Sequence, residues 1–283
     1  MSRFREMELP PIDPDAFRAK YGPWAVVSGA SDGTGAEFAS QIAALGVNVV
    51  IAARRGELLE ELGSRLAAEH GVEYRTVVVD LKEPDAAQRM LDATEDLDVG
   101  LYVSNAGVAH RHDTFLNAGL EAMRGAIAMN VTTLAEALYG FGARFKERGR
   151  GGIIVMTSGS AFNGSAYLAM YGATKAFGQV LAEALHLELG PYGVDVLGCL
   201  AGSMLTETAL AGRGGVLPPP GQHFSSHDSA AAALGTLGVK PVMIFGEEQQ
   251  EQVARRIEGI ERSRASSRAL AAAWHIEELP ATV

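Results

Sequence analysis

Ser28-Gly29-Ala30-Ser31-Asp32-Gly33-Thr34-Gly35 follows a short β-rich run, Trp24 to Ser28, and opens into a stretch, Thr34 to Leu45, that places Phe38, Ile42 and Leu45 at helical spacing. Glycines let a turn bring its backbone close to a bound group. The helix that follows offers unpaired N–H groups and the positive end of its dipole, a setting that suits a pyrophosphate. Glycines alone occur in any turn. The order strand, turn, helix is what gives this stretch its meaning. Gly29, Ser31, Asp32, Gly33, Thr34 and Gly35 are the candidate contacts to a dinucleotide.

Outward from the turn, apolar runs and amphipathic stretches alternate. Val47 to Ala53 reads as a buried strand, and Glu57 to Glu69 as a helix with Leu58, Leu62 and Leu66 on one face. Tyr74 to Val79 and Val99 to Val103 read as strands, with a helix over Pro84 to Glu95 between them. A long helical stretch runs from about Leu120 to Arg148, then a strand over Ile153 to Met156 and a helix over Ala166 to Leu189. Val194 to Leu200 and Val242 to Phe245 are the last strands. Continuous apolar strands separated by helices predict an α/β fold: a Rossmann-type doubly wound parallel sheet of about seven strands, with helices on both faces and ligands at the carboxyl ends of the strands. The chain, 1–283, is expected to form a single dinucleotide-binding domain. Pro10, Pro11 and Pro14 suggest an irregular N-terminal arm over 1–20. A substrate or lid region is placed at 203–238, including the loop-like Gly212 to Asp228, rich in Gly, Pro, Ser and His; a helical C-terminal extension is placed at 247–283.

Composition narrows the function. With 47% hydrophobic and 20% charged residues in 283, the chain has the balance of a compact soluble protein. A net charge of −10 argues against a nucleic-acid or anionic-membrane binder. The single cysteine, Cys199, excludes an internal disulfide and a multi-cysteine metal site. No metal site is expected. The N-terminus lacks the apolar core of a signal peptide, and no apolar run reaches the ~20 residues that span a bilayer. The expectation is a cytoplasmic protein.

The second strand ends in Ala52-Ala53-Arg54-Arg55, where a fold selecting NAD commonly carries a carboxylate for the ribose 2′-hydroxyl. Guanidinium groups grip a 2′-phosphate instead, so Arg54 and Arg55 favour NADP(H), with NAD(H) possible. Arginines also simply solvate strand ends. Tyr171 and Lys175 lie four positions apart on one helix face. A lysine cation ~4 Å from the phenol at an effective dielectric of ~20 favours phenolate by ~4 kcal/mol, which brings a tyrosine into range for acid–base work. Most such pairs are ordinary helix surface. Ser158 lies just past a strand at the ligand edge of the sheet, where its hydroxyl suits a carbonyl oxygen. Asn130 sits between Met129 and Val131 inside the long helix and suits the anchoring of a water.

Together the Ser28–Gly35 turn, Asn105-Ala106-Gly107 after the fourth strand, Asn130, Ser158, and Tyr171 with Lys175 resemble the short-chain dehydrogenase/reductase family in order and spacing, over about Trp24 to Thr208. The resemblance implies NAD(P)-dependent interconversion of alcohols and carbonyls. It implies Tyr171 as proton donor in reduction and Ser158 as the group polarising the carbonyl. Lys175 would lower the tyrosine pKa and hold the nicotinamide ribose, and Asn130 would maintain a water-linked relay. Asn105, Ala106 and Gly107 would lie against the cofactor, Asp80 and Leu81 against the adenine, and Thr206 near the nicotinamide carboxamide. The sequence departs from the family pattern at Ser28 for a threonine, at Thr34 for an apolar residue, and at Ala201-Gly202 for Pro-Gly, the last implying a looser nicotinamide-side loop.

Phe162, Tyr167, Met204, Leu205 and Leu210 suit a mostly apolar substrate, such as a hydroxysteroid or an aryl or alkyl ketone. His110 and His112 are polar contacts or solvated loop residues, and His223 and His227 are read the same way. A 3-oxoacyl thioester reductase is the second enzymatic reading; a non-catalytic NADP-binding sensor on the same scaffold is the alternative of another class. Family members usually associate through the long helices beside the site, so a homodimer or homotetramer is expected. Gly140, Gly142, Ala143, Gly178, Ala182 and Ala184 are its close-packing residues.

Overall fold

The computed structural model describes residues 4–5, 9–107, 114–204, 206, 216, 219, 223–245 and 250–274. Seven parallel strands form one sheet in the order β3-β2-β1-β4-β5-β6-β7. They are β1 (Trp24–Ser28), β2 (Asn48–Ala53), β3 (Tyr74–Val78), β4 (Val99–Ser104), β5 (Gly151–Met156), β6 (Val194–Leu200) and β7 (Val242–Ile244). The doubly wound sheet expected from the alternating pattern is present. Its strand order reverses between β1 and β4, so the crevice at their carboxyl ends lies beside the glycine turn.

Strand residues alternate between two cores. Val27, Ile51, Val103 and Ile154 face one, and Val26, Val50, Tyr102 and Ile153 the other. The first core is closed by α1 (Pro14–Tyr21), α2 (Gly33–Ala44), α3 (Gly56–His70) and α8 (Ser226–Thr236). The second is closed by α4 (Ala86–Asp92), α6 (Leu134–Arg148) and α7 (Ala169–Leu189). Helix α5 (Leu120–Ile127) joins α6 through a π-helical turn, Ala128–Thr133. Helix α9 (Gln250–Trp274) packs beside β7.

Several expectations change. The arm over 1–20 contains α1: Pro14 sits in its first turn, and Asp13 Oδ1 accepts from Asp15 N at 2.9 Å and Ala16 N at 3.2 Å. Phe17 and Tyr21, four apart, bury that helix against the sheet. The loop ending at Asp228 gives way to α8 at Ser226, capped by the Ser225 hydroxyl accepting from Asp228 N at 3.3 Å. The buried stripe of α3 is Leu59, Leu62 and Leu66; Leu58 is exposed, one residue of rotation away from the core. Residues 207–215 of the lid region and 275–283 of the extension lie outside the described residues.

Candidate active site

The turn after β1 is shaped by backbone proximity. Gly29 N donates to Ala52 O at 2.7 Å, which anchors the turn to β2. Gly33 has φ +52°, and a Cβ there would stand 2.6 Å from the Thr206 methyl. A Cβ on Gly35 would stand 2.0 Å from Gly29 O and 2.7 Å from Asn105 Nδ2. These glycines thus let the turn pack closely on Ala106, Thr206 and Asn105 where it enters α2. Gly35→Ala is expected to destabilise the fold by ~3 kcal/mol, the upper range for overpacking, and to weaken dinucleotide binding; thermal unfolding and a cofactor titration check both.

The Asn105–Gly107 segment braces the turn. Asn105 Nδ2 donates to Gly29 O at 3.2 Å, and Ala106 N to Ser28 O at 3.2 Å. Ser28 keeps a structural role, its hydroxyl donating to Val103 O at 3.3 Å. Thr34, which the family pattern does not lead one to expect, is buried. Its hydroxyl reaches Met204 Sδ at 3.1 Å and Ser226 Oγ at 3.3 Å, tying the start of α2 to the segment after β6.

The arginines separate in role. Arg55 turns back to the cofactor turn, its Nη2 donating to Ser31 O and Oγ, each at 3.1 Å. Arg54 is exposed at the strand edge, with Asp80 Oδ2 3.9 Å from its Nη1. Asp80 Oδ1 also accepts from Lys82 N at 3.0 Å, and Leu81 is buried, its carbonyl accepting from Thr133 Oγ1 at 2.9 Å.

The remaining sequence-predicted residues converge at the ends of β4 and β5. Ser158 follows β5 directly, and its hydroxyl caps the 3-10 turn Gly159–Ala161 by accepting from Ser160 N at 3.2 Å. The Ser158 side chain also faces the Tyr171 phenol from α7 and favours its ionised form. Lys175, one turn further along α7, is buried and donates from Nζ to Met156 O at 2.8 Å. Its ammonium lies 5.8 Å from the Tyr171 ring centroid. A Cβ on Gly107 would come within 2.4 Å of Lys175 Nζ and 4.0 Å of Asn130 Oδ1, so this glycine leaves the space those groups share. Asn130 is buried in the π-helical turn, its Nδ2 donating to Thr174 Oγ1 at 3.0 Å. A cavity of about 10 Å³, water-sized, is lined by Asn130, Thr174, Lys175, Ser104 and Thr157 among others.

Burial pushes the Tyr171 phenol above its ordinary value, and the Ser158 side chain only partly offsets this. Lys175 is itself desolvated, which pushes its pKa down to about 8. The phenol is thus held neutral.

The proposed pocket residues are less uniform than their apolar character suggested. Tyr167 is exposed and adopts φ +67°, a left-handed conformation costly for a side chain of its size. Phe162 is half-buried against β6, β7 and α9. His227 lies in the first turn of α8, its Nδ1 3.1 Å from Glu37 Oε2, and His223 is buried rather than solvated. His110, His112, Leu205 and Leu210 lie outside the described residues. Among the described residues there is no cluster of His, Cys, Asp or Glu able to hold a metal, and no helix long and apolar enough to cross a membrane.

A parallel doubly wound sheet with a glycine turn at its switch point and a Ser–Tyr–Lys group beside it defines a dinucleotide-dependent oxidoreductase. The chain belongs to the short chain dehydrogenase family, whose pattern it matches over residues 23–213. It is 33% identical over 239 residues to a 7beta-hydroxysteroid dehydrogenase of Clostridium sardiniense, covering 84% of this chain and 90% of that one. The solved structure of a 7beta-hydroxysteroid dehydrogenase superposes with a TM-score of 0.76 at 28% identity, over 88% of this chain and 99% of that one. A short-chain dehydrogenase from Sphingobium yanoikuyae in complex with NADPH superposes with a TM-score of 0.75 at 29% identity, over 88% and 96%. This chain is accordingly an NAD(P)-dependent dehydrogenase or reductase.

Proposed function

We propose that the protein is an NADP(H)-dependent enzyme that interconverts a secondary alcohol and a ketone on a bulky, mostly apolar substrate of the hydroxysteroid type. The observation that carries this reading is the gathering of Ser158, Tyr171, Lys175 and Asn130 at the carboxyl end of β5 beside Gly107. The likeness to 7beta-hydroxysteroid dehydrogenases supports the substrate class.

The strand–turn–helix at Ser28–Gly35, tightened by its glycines and braced by Asn105 and Ala106, would hold the pyrophosphate of a nicotinamide dinucleotide at the start of α2. The adenine end falls to Asp80 and Leu81, the carboxamide end to Thr206. When bound, that cofactor supplies or accepts hydride. Ser158 donates a hydrogen bond to the substrate oxygen, and Tyr171, held neutral by burial, delivers its proton there in reduction. Lys175 holds the ribose. Asn130, fixed by Thr174, borders a water-sized cavity shared with Lys175 and would hold a water that passes protons toward Tyr171 by way of that lysine. We place these functions in one domain over 1–283, in the cytoplasm.

Arg54 is the 2′-phosphate ligand in this reading, supported by its exposure beside the turn. Arg54→Asp replaces a charge-assisted hydrogen bond with repulsion, so NADPH binding is expected to weaken by about 10²-fold with NADH binding unchanged, as read by titration. Tighter NADH than NADPH binding in the unaltered protein removes the NADP assignment. NADPH consumption with a steroid ketone, an aryl ketone and a 3-oxoacyl thioester tests the substrate class. Consumption with the thioester alone transfers the protein to the acyl reductases, and binding without turnover to the sensors.

The assembly reading shifts to different residues. Gly140, Gly142 and Gly178 pack inward, where a Cβ would meet Leu91, Leu189 and Leu134, and Ala182 is buried. Ile127, Tyr139, Phe177 and Val180 are instead exposed on α5, α6 and α7, and they support a homodimer or homotetramer through these helices.

A further inference from the structure

Arg256, on α9, reaches both α7 and the segment after Ser158. Its Nε donates to Glu183 Oε1 on α7, and its guanidinium carbon stands 5.7 Å from the centroid of the Phe162 ring. The two charged side chains are only 22% and 14% exposed, so solvent screens the pair weakly. Glu183 Oε1 also accepts from Gln179 Nε2 at 2.8 Å, and Gln179 Oε1 accepts from Thr157 Oγ1 at 2.7 Å. Gln179 and Thr157 are buried. A continuous chain of hydrogen bonds therefore runs from α9 to the residue before Ser158, while the cation on Phe162 holds the segment that follows. Val253, Ile257 and Ile260 complete the seat, packing with Ala161 and Phe162 in a small core of its own.

We propose that Arg256 is a positioning residue for the substrate side of the active site. It fixes the segment Gly159–Phe162 and thereby where the Phe162 ring stands relative to a bulky ketone. This rests on the functional reading above. Guanidinium suits the task because its plane lies on an aromatic face while its edge forks to a carboxylate; an ammonium serves only one of these well. Helix α9 thus belongs to the substrate side of the site through Arg256. A small ketone needs only Ser158 and Tyr171, whereas a large one leans on the wall that Arg256 holds.

Truncating Arg256 alone orphans the shielded Glu183 carboxylate, which risks the fold. The test therefore uses Arg256→Met with Glu183→Gln, which removes the ion pair but keeps an acceptor for Gln179, and Arg256→Lys as the conservative variant. With NADPH saturating, the double variant is expected to raise KM for a steroid ketone about tenfold, within the range of a shielded cation–π contact, with kcat nearly constant. KM for a small cyclic ketone and the Kd for NADPH stay unchanged, and Arg256→Lys recovers part of the loss. Without any substrate, hydrogen–deuterium exchange over 159–168 speeds up in the double variant. An unchanged steroid-ketone KM, or an equal KM change on both ketones, overturns the proposal. If the unaltered protein turns over no ketone, the functional reading falls by itself; exchange over 159–168 then decides whether Arg256 holds the segment, and unchanged exchange overturns it.

Discussion

Tyr171→Phe is expected to lower kcat by about 10³-fold while leaving the NADPH Kd within a factor of about two, the scale of losing a positioned general acid. The phenol is held neutral by burial and faces the Ser158 side chain, where the proposed reaction would bring the substrate oxygen. Phenylalanine keeps the ring that fills the site and removes only the proton. Ser158 remains to polarise the carbonyl, so residual turnover persists. Binding titrations alongside NADPH-oxidation assays separate the two effects. Turnover within tenfold of the unaltered enzyme places the proton donor elsewhere, and parallel loss of NADPH binding makes Tyr171 a structural residue.

Lys175→Met is expected to make the cofactor-free protein more stable at pH 7 and nearly inactive. Burial lowers the Lys175 ammonium from 10.5 to about 8, so between those values the unfolded chain binds more protons than the folded one and stability rises with pH. Below about pH 8 both states carry the charge, and the fold bears the whole desolvation penalty of ~3 kcal/mol. Methionine fills the same volume without that charge. It also leaves Met156 O without its 2.8 Å donor, which costs ~1–2 kcal/mol. The net is an apo Tm higher by ~2–4 °C at pH 7, a difference that shrinks as pH rises and reverses above about 10.5, where the neutral amine still serves Met156 O. Turnover falls by about 10²-fold or more, because the ribose and relay lose their cation. A lower Tm at pH 7 shows that the Met156 hydrogen bond outweighs the buried charge. The cation destabilises the empty protein, a strain that a residue kept for the reaction rather than for the fold is expected to carry.

Much of this was legible in the chain itself. The strand–turn–helix at Ser28–Gly35 is a local pattern, and its glycines proved to be positions where a Cβ meets backbone, as at Gly35. The apolar runs gave strands within one or two residues, since burial on both faces of a parallel sheet demands uninterrupted hydrophobic residues. Ser158, Tyr171 and Lys175 converge because a strand end and a helix face are fixed by local periodicity. The missed α1 was signalled by Asp13 and Pro14, a cap and an N-terminal proline obscured by neighbouring prolines.

Other features belong to tertiary structure alone. The π-helical turn that presents Asn130 has the composition of ordinary helix; its extra residue per turn is stabilised by contacts such as Thr133 to Leu81 and Asn130 to Thr174. How strongly burial raises Tyr171 and lowers Lys175 depends on everything packed around both groups, which their spacing along the helix does not show. Thr34 to Ser226 and Thr157 through Glu183 to Arg256 join residues far apart in the chain. Short-range pattern determines which element forms and which way its residues face. The partner a polar side chain finds is decided only when distant elements are brought together and water is excluded between them.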